Sequence, residues 1–111
     1  MNEDKAPVQY CLVRKDLPVR TQMVNVGHAT AEAVRIAPIN KRTVLRLLWV
    51  EDEDELKSFA EKLMAKNFHI GLVIEPDAPY NGASMALATE PATERINALG
   101  KIFFHLKPVG L

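Results

Sequence analysis

Three short apolar, β-prone runs recur along this 111-residue chain, and the stretches between them carry helical spacing. The runs are residues 8–14 (VQYCLVR), 43–50 (TVLRLLWV) and 69–74 (HIGLVI). Each has strand length and is rich in branched apolar residues. Strands that alternate with helices hydrogen-bond into one sheet and lay the helices on its faces, through right-handed crossovers. The expectation is therefore an α/β layered fold: a single domain with a small mixed β-sheet flanked by helices. At 12.4 kDa the chain has material for one core, since domains usually span about 100–200 residues.

The intervening segments refine this outline. Residues 1–7 are polar and charged, and are expected as a disordered tail, leaving 8–111 as the domain. Residues 15–20 (KDLPVR) form a loop with Asp16 and Pro18 as turn formers. Residues 21–35 read as a helix ended by Pro38 and Asn40. At about 100° per residue, Thr21, Asn25, His28, Glu32 and Arg35 fall on one stripe. Almost all the rest is Met, Val, Gly or Ala, so this helix is expected to be largely buried, with Gly27 and the alanines permitting close approach of backbones. The run 43–50 is apolar on both faces apart from Arg46, which suggests an interior strand.

Asp52 followed by Glu55 has the spacing of a capping box. Leu56, Phe59, Ala60, Leu63 and Met64 then recur at helical intervals, to an end near Asn67. Residues 75–82 (EPDAPYNG) form a loop and 84–88 a fourth strand. A short helix is expected from Pro91 to Leu99, closed by Gly100, and a final strand over 102–106 (IFFHL).

Charge and cysteine usage narrow the function classes. Fourteen Lys/Arg balance fourteen Asp/Glu, so the whole chain has no cationic excess to draw it to nucleic acid. The halves differ: residues 1–50 carry eight cations against four anions, a net of +4, and residues 51–111 carry six against ten, a net of −4. The lone cysteine, Cys11, lies in an apolar run and reads as a buried, inert thiol. With no pairing partner, it fits a reducing compartment. No run reaches the roughly 20 apolar residues of a membrane helix, so a cytoplasmic protein with no membrane partner is expected. The nucleotide-loop, zinc-protease, serine-hydrolase and CxxC motifs are absent, and His28, His69 and His105 are far apart. No cofactor and no metal are expected.

The polar stripe is the feature with chemical content. On a buried helix it must face water, a cavity or a polar partner, because bare burial is costly. It is either a solvated face or one wall of a groove, with His28 and Glu32 placed four residues apart to pair. The loop after the first strand brings Arg14, Lys15 and Arg20 to the carboxyl end of that strand, where open α/β sheets bind ligands. The loop with Glu75 and Asp77 can reach the same edge. Cations, a carboxylate and a polar stripe suit a phosphate-bearing ligand or the activation of water.

The stretches VQYCLVRKDL, GHATAEA, VEDEDELKSFAEKLMAKNFHIGLVIEPD and MALATEP, in this order, resemble the type 2 peptidyl-tRNA hydrolases over roughly residues 8–107. Arg14, Lys15, Asp16 and Leu17 match the family's R-x-D-L segment. His28 and Ala29 match its H-A pair, and Ala86, Leu87 and Pro91 match its A-L-x-x-x-P segment. The chain is similar to the divergent branch of peptidyl-tRNA hydrolase domain-containing proteins. The resemblance implies a mixed-sheet α/β domain, commonly a homodimer, that hydrolyses the ester between peptide and tRNA without a metal. It carries catalytic roles to Thr21, which takes the family's lysine position, to Asn25, which takes its glutamine position, and to His28. Arg20 can present the cation in place of the lysine, and Glu75 or Asp77 stands for the aspartate after the third strand. Arg14 and Lys15 would hold tRNA phosphates. Ala83 and Met85 occupy the family's threonine positions. The alternative is a catalytically inactive module of the same fold that binds RNA or another ligand.

Overall fold

A computed structural model describes residues 6–35, 43–93 and 95–110. The elements run β1 (Val8–Arg14), α1 (Val19–Val34), β2 (Val44–Val50), α2 (Glu53–Ala65), β3 (Ile70–Glu75), β4 (Ala83–Thr89) and α3 (Ile96–Phe103). The four strands form one mixed sheet in the order β2-β1-β4-β3. β1 pairs in parallel with β2, and β4 runs antiparallel to both β1 and β3. The carboxyl ends of β1, β2 and β3 therefore share one edge with the start of β4. The α/β fold with a small mixed sheet flanked by helices is present as expected. Of the expected tail, residues 1–5 lie outside the described residues, and the Pro7 carbonyl already accepts the Val44 N–H at 2.8 Å.

The sheet has two unlike faces. Tyr10, Leu12, Leu48, Val50 and Leu87 pack against Leu56, Phe59 and Leu63 of α2 and Leu99 and Phe103 of α3. The Phe103 ring lies 5.0 Å from that of Tyr10 and 5.6 Å from that of Phe59. The other face is built from small residues: Cys11, Val13, Ala86 and Ala88 meet Ala29 and Ala33 of α1. Burial removes Cys11 from solvent and pushes its thiol up to about 12, so it stays protonated and inert. Helix α2 starts within the acidic run of residues 51–55 (EDEDE). The Asp52 carboxylate accepts the Glu55 N–H at 3.0 Å, while the Glu55 carboxylate takes the N–H of Glu51 rather than that of the capping residue.

Four sequence expectations are corrected. The run 102–106 is not a strand: Ile96, Leu99 and Phe103 share a helical face, and burying it against Tyr10 and Phe59 carries α3 through Gly100 to Phe103. The helix does not start at Pro91, because Ala92 is extended and exchanges two backbone hydrogen bonds with Val8. β2 is an edge strand, not an interior one. Val44, Leu45 and Arg46 are exposed, and part of its outer side pairs with the terminal segment through Trp49 N–H to Lys107 O and Val109 N–H to Leu47 O. Finally, α1 is not buried all round. One face is buried, while Val19, Met23 and Val24 are more than half exposed.

The glycine that permits close approach is also elsewhere. Gly27 is exposed, and an added Cβ there meets nothing within 4 Å. At Gly71, where β3 passes under α1, a Cβ would lie 2.6 Å from the Ala33 nitrogen and 3.0 Å from the Ala29 carbonyl oxygen. Both are backbone atoms that cannot swing aside. Gly71→Ala is expected to destabilise by about 2 kcal/mol, the scale of core overpacking. Gly27→Ala should stabilise by up to about 1 kcal/mol through helix propensity. Urea unfolding of the two variants checks the pair, and equal stability of both would contradict this seam.

Candidate functional site

The turn from β1 to α1 is built by Arg14 and Asp16. The Arg14 guanidinium forks onto the Asp16 carboxylate, at 2.9 Å from Nε and 2.8 Å from Nη2, and its Nη1 donates to the Ser84 carbonyl at 3.1 Å. These bonds hold the Asp16 carboxyl below its ordinary range and push Arg14 higher still. Glu53 is held down in the same way, chiefly by the Ser84 N–H it accepts at 2.7 Å. Leu17 is buried beneath the turn. Gln22 locks it by donating to the Leu17 carbonyl at 2.8 Å and accepting the Trp49 indole N–H at 2.9 Å. Pro18 leaves α1 without a side-chain cap, so Gln22 is the polar anchor of the helix start.

From this anchored start, α1 runs beside β3 and leaves an open groove of about 740 Å³. One wall is the stripe: Arg20, Thr21, Asn25, His28 and Glu32, with Val24 beside it. The other comprises Leu72, Val73, Ile74 and Glu75 of β3, together with Met85 of β4 and Tyr80. Asn25 is buried, and its amide donates to the Thr21 carbonyl at 2.8 Å. The expected pairing of His28 with Glu32 is replaced by one with Arg35, whose Nη1 lies 3.0 Å from the Glu32 carboxylate.

The β3–β4 connection closes the end of the groove. The Asp77 carbonyl accepts the N–H groups of both Tyr80 and Asn81, and the Glu75 carbonyl accepts that of Gly82 at 2.7 Å. Asn81 and Gly82 take positive φ, 48° and 92°, which turns the chain back into β4. The Glu75 carboxylate caps this loop by accepting the Asp77 N–H at 3.1 Å.

Among the residues singled out from sequence, Arg20, Thr21, Asn25, His28 and Glu75 therefore line one groove, with Met85 as a further lining residue. Arg14, Lys15 and Asp77 do not line it. Arg14 is committed to the turn. The ammonium of Lys15 lies on the far side, over the Trp49 ring at 5.4 Å. Asp77 is exposed within the β3–β4 loop. Tyr80 was not read from the sequence; the Asn-Gly pair after it marks the turn that sends it back to the sheet. Among the groove's lining residues, Arg20 is the one permanent cation, His28 and Glu75 are proton acceptors without a salt-bridge partner among the described residues, and Val24, Leu72, Val73, Ile74 and Met85 add apolar surface. Such a groove can hold an anion beside an apolar group and offer a base to water. No cluster of three metal-ligating side chains occurs among the described residues, and no helix is long and apolar enough to cross a membrane.

The protein is thus an α/β domain with a polar groove between a helix and a sheet edge. No protein-family model matches the chain, and no curated protein sequence matches it. A solved structure of a protein of unknown function from Agrobacterium tumefaciens is similar, with a TM-score of 0.73 and 12% identity over 96% of this chain and 99% of that one. That likeness concerns the fold alone.

The Arg14–Asp16 pair gives a pH test. A carboxyl held below its unfolded value stabilises the fold above roughly pH 4, and that contribution is lost as pH falls through the lowered value. With Asp16 41% exposed, the effect is screened to below about 1 kcal/mol. Asp16→Asn should therefore lower urea stability slightly at pH 7, by a deficit that shrinks as pH falls below about 4. A deficit that grows on acidification would contradict the pairing.

Proposed function

We propose that this chain is a peptidyl-tRNA hydrolase-like domain that cleaves the ester between a peptide and the tRNA terminal ribose in the groove between α1 and the β3–β4 hairpin. One observation carries the reading. Of the positions to which the family resemblance assigns function, Thr21, Asn25 and His28 of α1, Glu75 of β3 and Met85 of β4 line the same groove, while Arg14, Lys15, Asp77 and Ala83 do not. In this reading His28 is the base. Its imidazole takes a proton from water, the water oxygen bonds to the ester carbonyl carbon, and the carbon–oxygen bond to ribose breaks. The proton then passes to the leaving ribose oxygen. Arg20 faces the developing oxyanion or the terminal phosphate as a fixed positive charge, since an arginine does not give up its proton. Asp77 has no part, because it lies outside the groove. The protein works in the cytoplasm, as a homodimer.

A second reading is favoured by three replacements. Thr21, Ala83 and Met85 stand where the family carries a lysine and two threonines, which leaves fewer polar donors around the ester. The domain then binds RNA or another ligand and catalyses nothing. Single-turnover hydrolysis of a model peptidyl-tRNA separates the two. The hydrolase reading expects cleavage that falls more than about tenfold in His28→Ala, or about 1.4 kcal/mol of barrier, and stays within twofold in Asp77→Ala. Absence of cleavage, with tRNA retained at low salt and lost in Arg20→Ala, would leave the binding module. Equal turnover in His28→Ala would remove His28 as the base.

A further inference from the structure

A second surface stands on the opposite face of the sheet, where α2 ends beside α3. Four cations, Lys62, Lys66, Arg95 and Lys101, converge there around an open groove of about 760 Å³, with Phe104 and His105 on its rim. They come from the half of the chain whose net charge is −4, so the patch exists only in the folded molecule. None of the four forms an ion pair among the described residues, and no described Asp or Glu lines the groove. Among the described residues no carboxylate pairs with this positive charge, which faces solvent.

The aromatic groups give this charge a pattern. The Arg95 guanidinium lies 3.7 Å from the Phe68 ring centroid and is held there by donating to the Lys66 carbonyl at 2.8 Å. The His105 ring stacks on Phe59, with 29° between the planes. Phe104 is 82% exposed, the largest exposure of any large apolar side chain among the described residues, and lies edge-on to His105 at 5.5 Å. A bare aromatic ring among these cations matches a single-stranded nucleic acid, whose phosphates meet the cations while a base stacks on the ring. An anionic membrane fits less well, because one phenylalanine offers little apolar surface to insert.

We propose that the α2–α3 surface binds single-stranded nucleic acid, with Lys66, Lys101 and Arg95 holding phosphates and Phe104 stacking a base. This is independent of the hydrolase reading, because the surface lies across the sheet from the α1 groove and shares no residue with it. The test is fluorescence anisotropy with a labelled 12-nucleotide oligouridylate from 25 to 200 mM salt. The variants are Lys66→Glu/Lys101→Glu, Phe104→Ala, Arg20→Ala and the neutral control Arg46→Ala, each with circular dichroism to confirm folding.

The expected result is binding that weakens with salt. Affinity should fall at least about tenfold in the double variant, with a salt slope lower by roughly 1.4 for the two lost contacts. Phe104→Ala should lose about tenfold, and Arg46→Ala, on the exposed start of β2, should stay within twofold. No binding at 25 mM salt, or binding indifferent to both the double variant and Phe104→Ala, would overturn the proposal. Loss in Arg20→Ala alone would overturn it while leaving the α1 groove as the RNA site. Phe104-dependent binding to phosphatidylserine vesicles in place of the oligonucleotide would overturn it in favour of a lipid surface.

Discussion

The close approach of α1 to the sheet governs the rest of the molecule. Ala29 and Ala33 rest on Gly71, Ala86 and Ala88, with no room for a further carbon at Gly71. A seam of small residues gains little per residue from apolar area, at roughly 25 cal/mol per Å². Its effect is geometric: it fixes the distance and rotation of the helix. With Ala29 and Ala33 pressed on the sheet, α1 presents Thr21, Asn25 and His28 to the groove that Glu75 at the end of β3 and Tyr80 of the following loop line from the other side. The groove is the space that the seam leaves open.

The polar anchors at the start of α1 complete that constraint. Pro18 offers no side-chain acceptor, and the first turn of α1 carries no acidic residue. The helix start is held instead by Gln22, which bridges the Leu17 carbonyl and the Trp49 indole, and by the Arg14–Asp16 fork, which ties the preceding turn to Ser84 of β4. Arg14 and Asp16 belong to the segment that carries the family resemblance, and in this fold their hydrogen bonds tie the turn before α1 to β4.

The strands and α2 were legible because their residue types and periods agree: VQYCLVR has no competing helical face, and Asp52 with Glu55 marks one helix start. The failures have physical reasons. IFFHL is apolar enough for a strand, but Leu99 and Phe103, four apart, bury better as one helical face against Tyr10 and Phe59, and Gly100 does not stop a helix packed in that way. β2 has an interior composition at an edge position, which only the strand order decides. In α1, small apolar residues were read as burial, although Met23 and Val24 face solvent. The stripe itself was correct in register, because helical angles follow from spacing alone. Which cations would stay free did not follow, since that depends on partners such as Ser84, 70 residues from Arg14. The α2–α3 patch was invisible for the same reason: its cations are diluted by acids in sequence, while no described acid lines the groove they form.

In the proposed function, ligand chemistry belongs to the groove between α1 and the β3–β4 hairpin. It is tested most directly by amide chemical-shift mapping of the ¹⁵N-labelled protein, titrated with an adenosine bearing an amide-linked peptide at its 3′ position, a stable mimic of the tRNA end. The account predicts shifts concentrated at Arg20, Thr21, Asn25 and His28 and at Glu75 to Tyr80, with β2 silent. Shifts confined to other surfaces, or none at millimolar ligand, would contradict it.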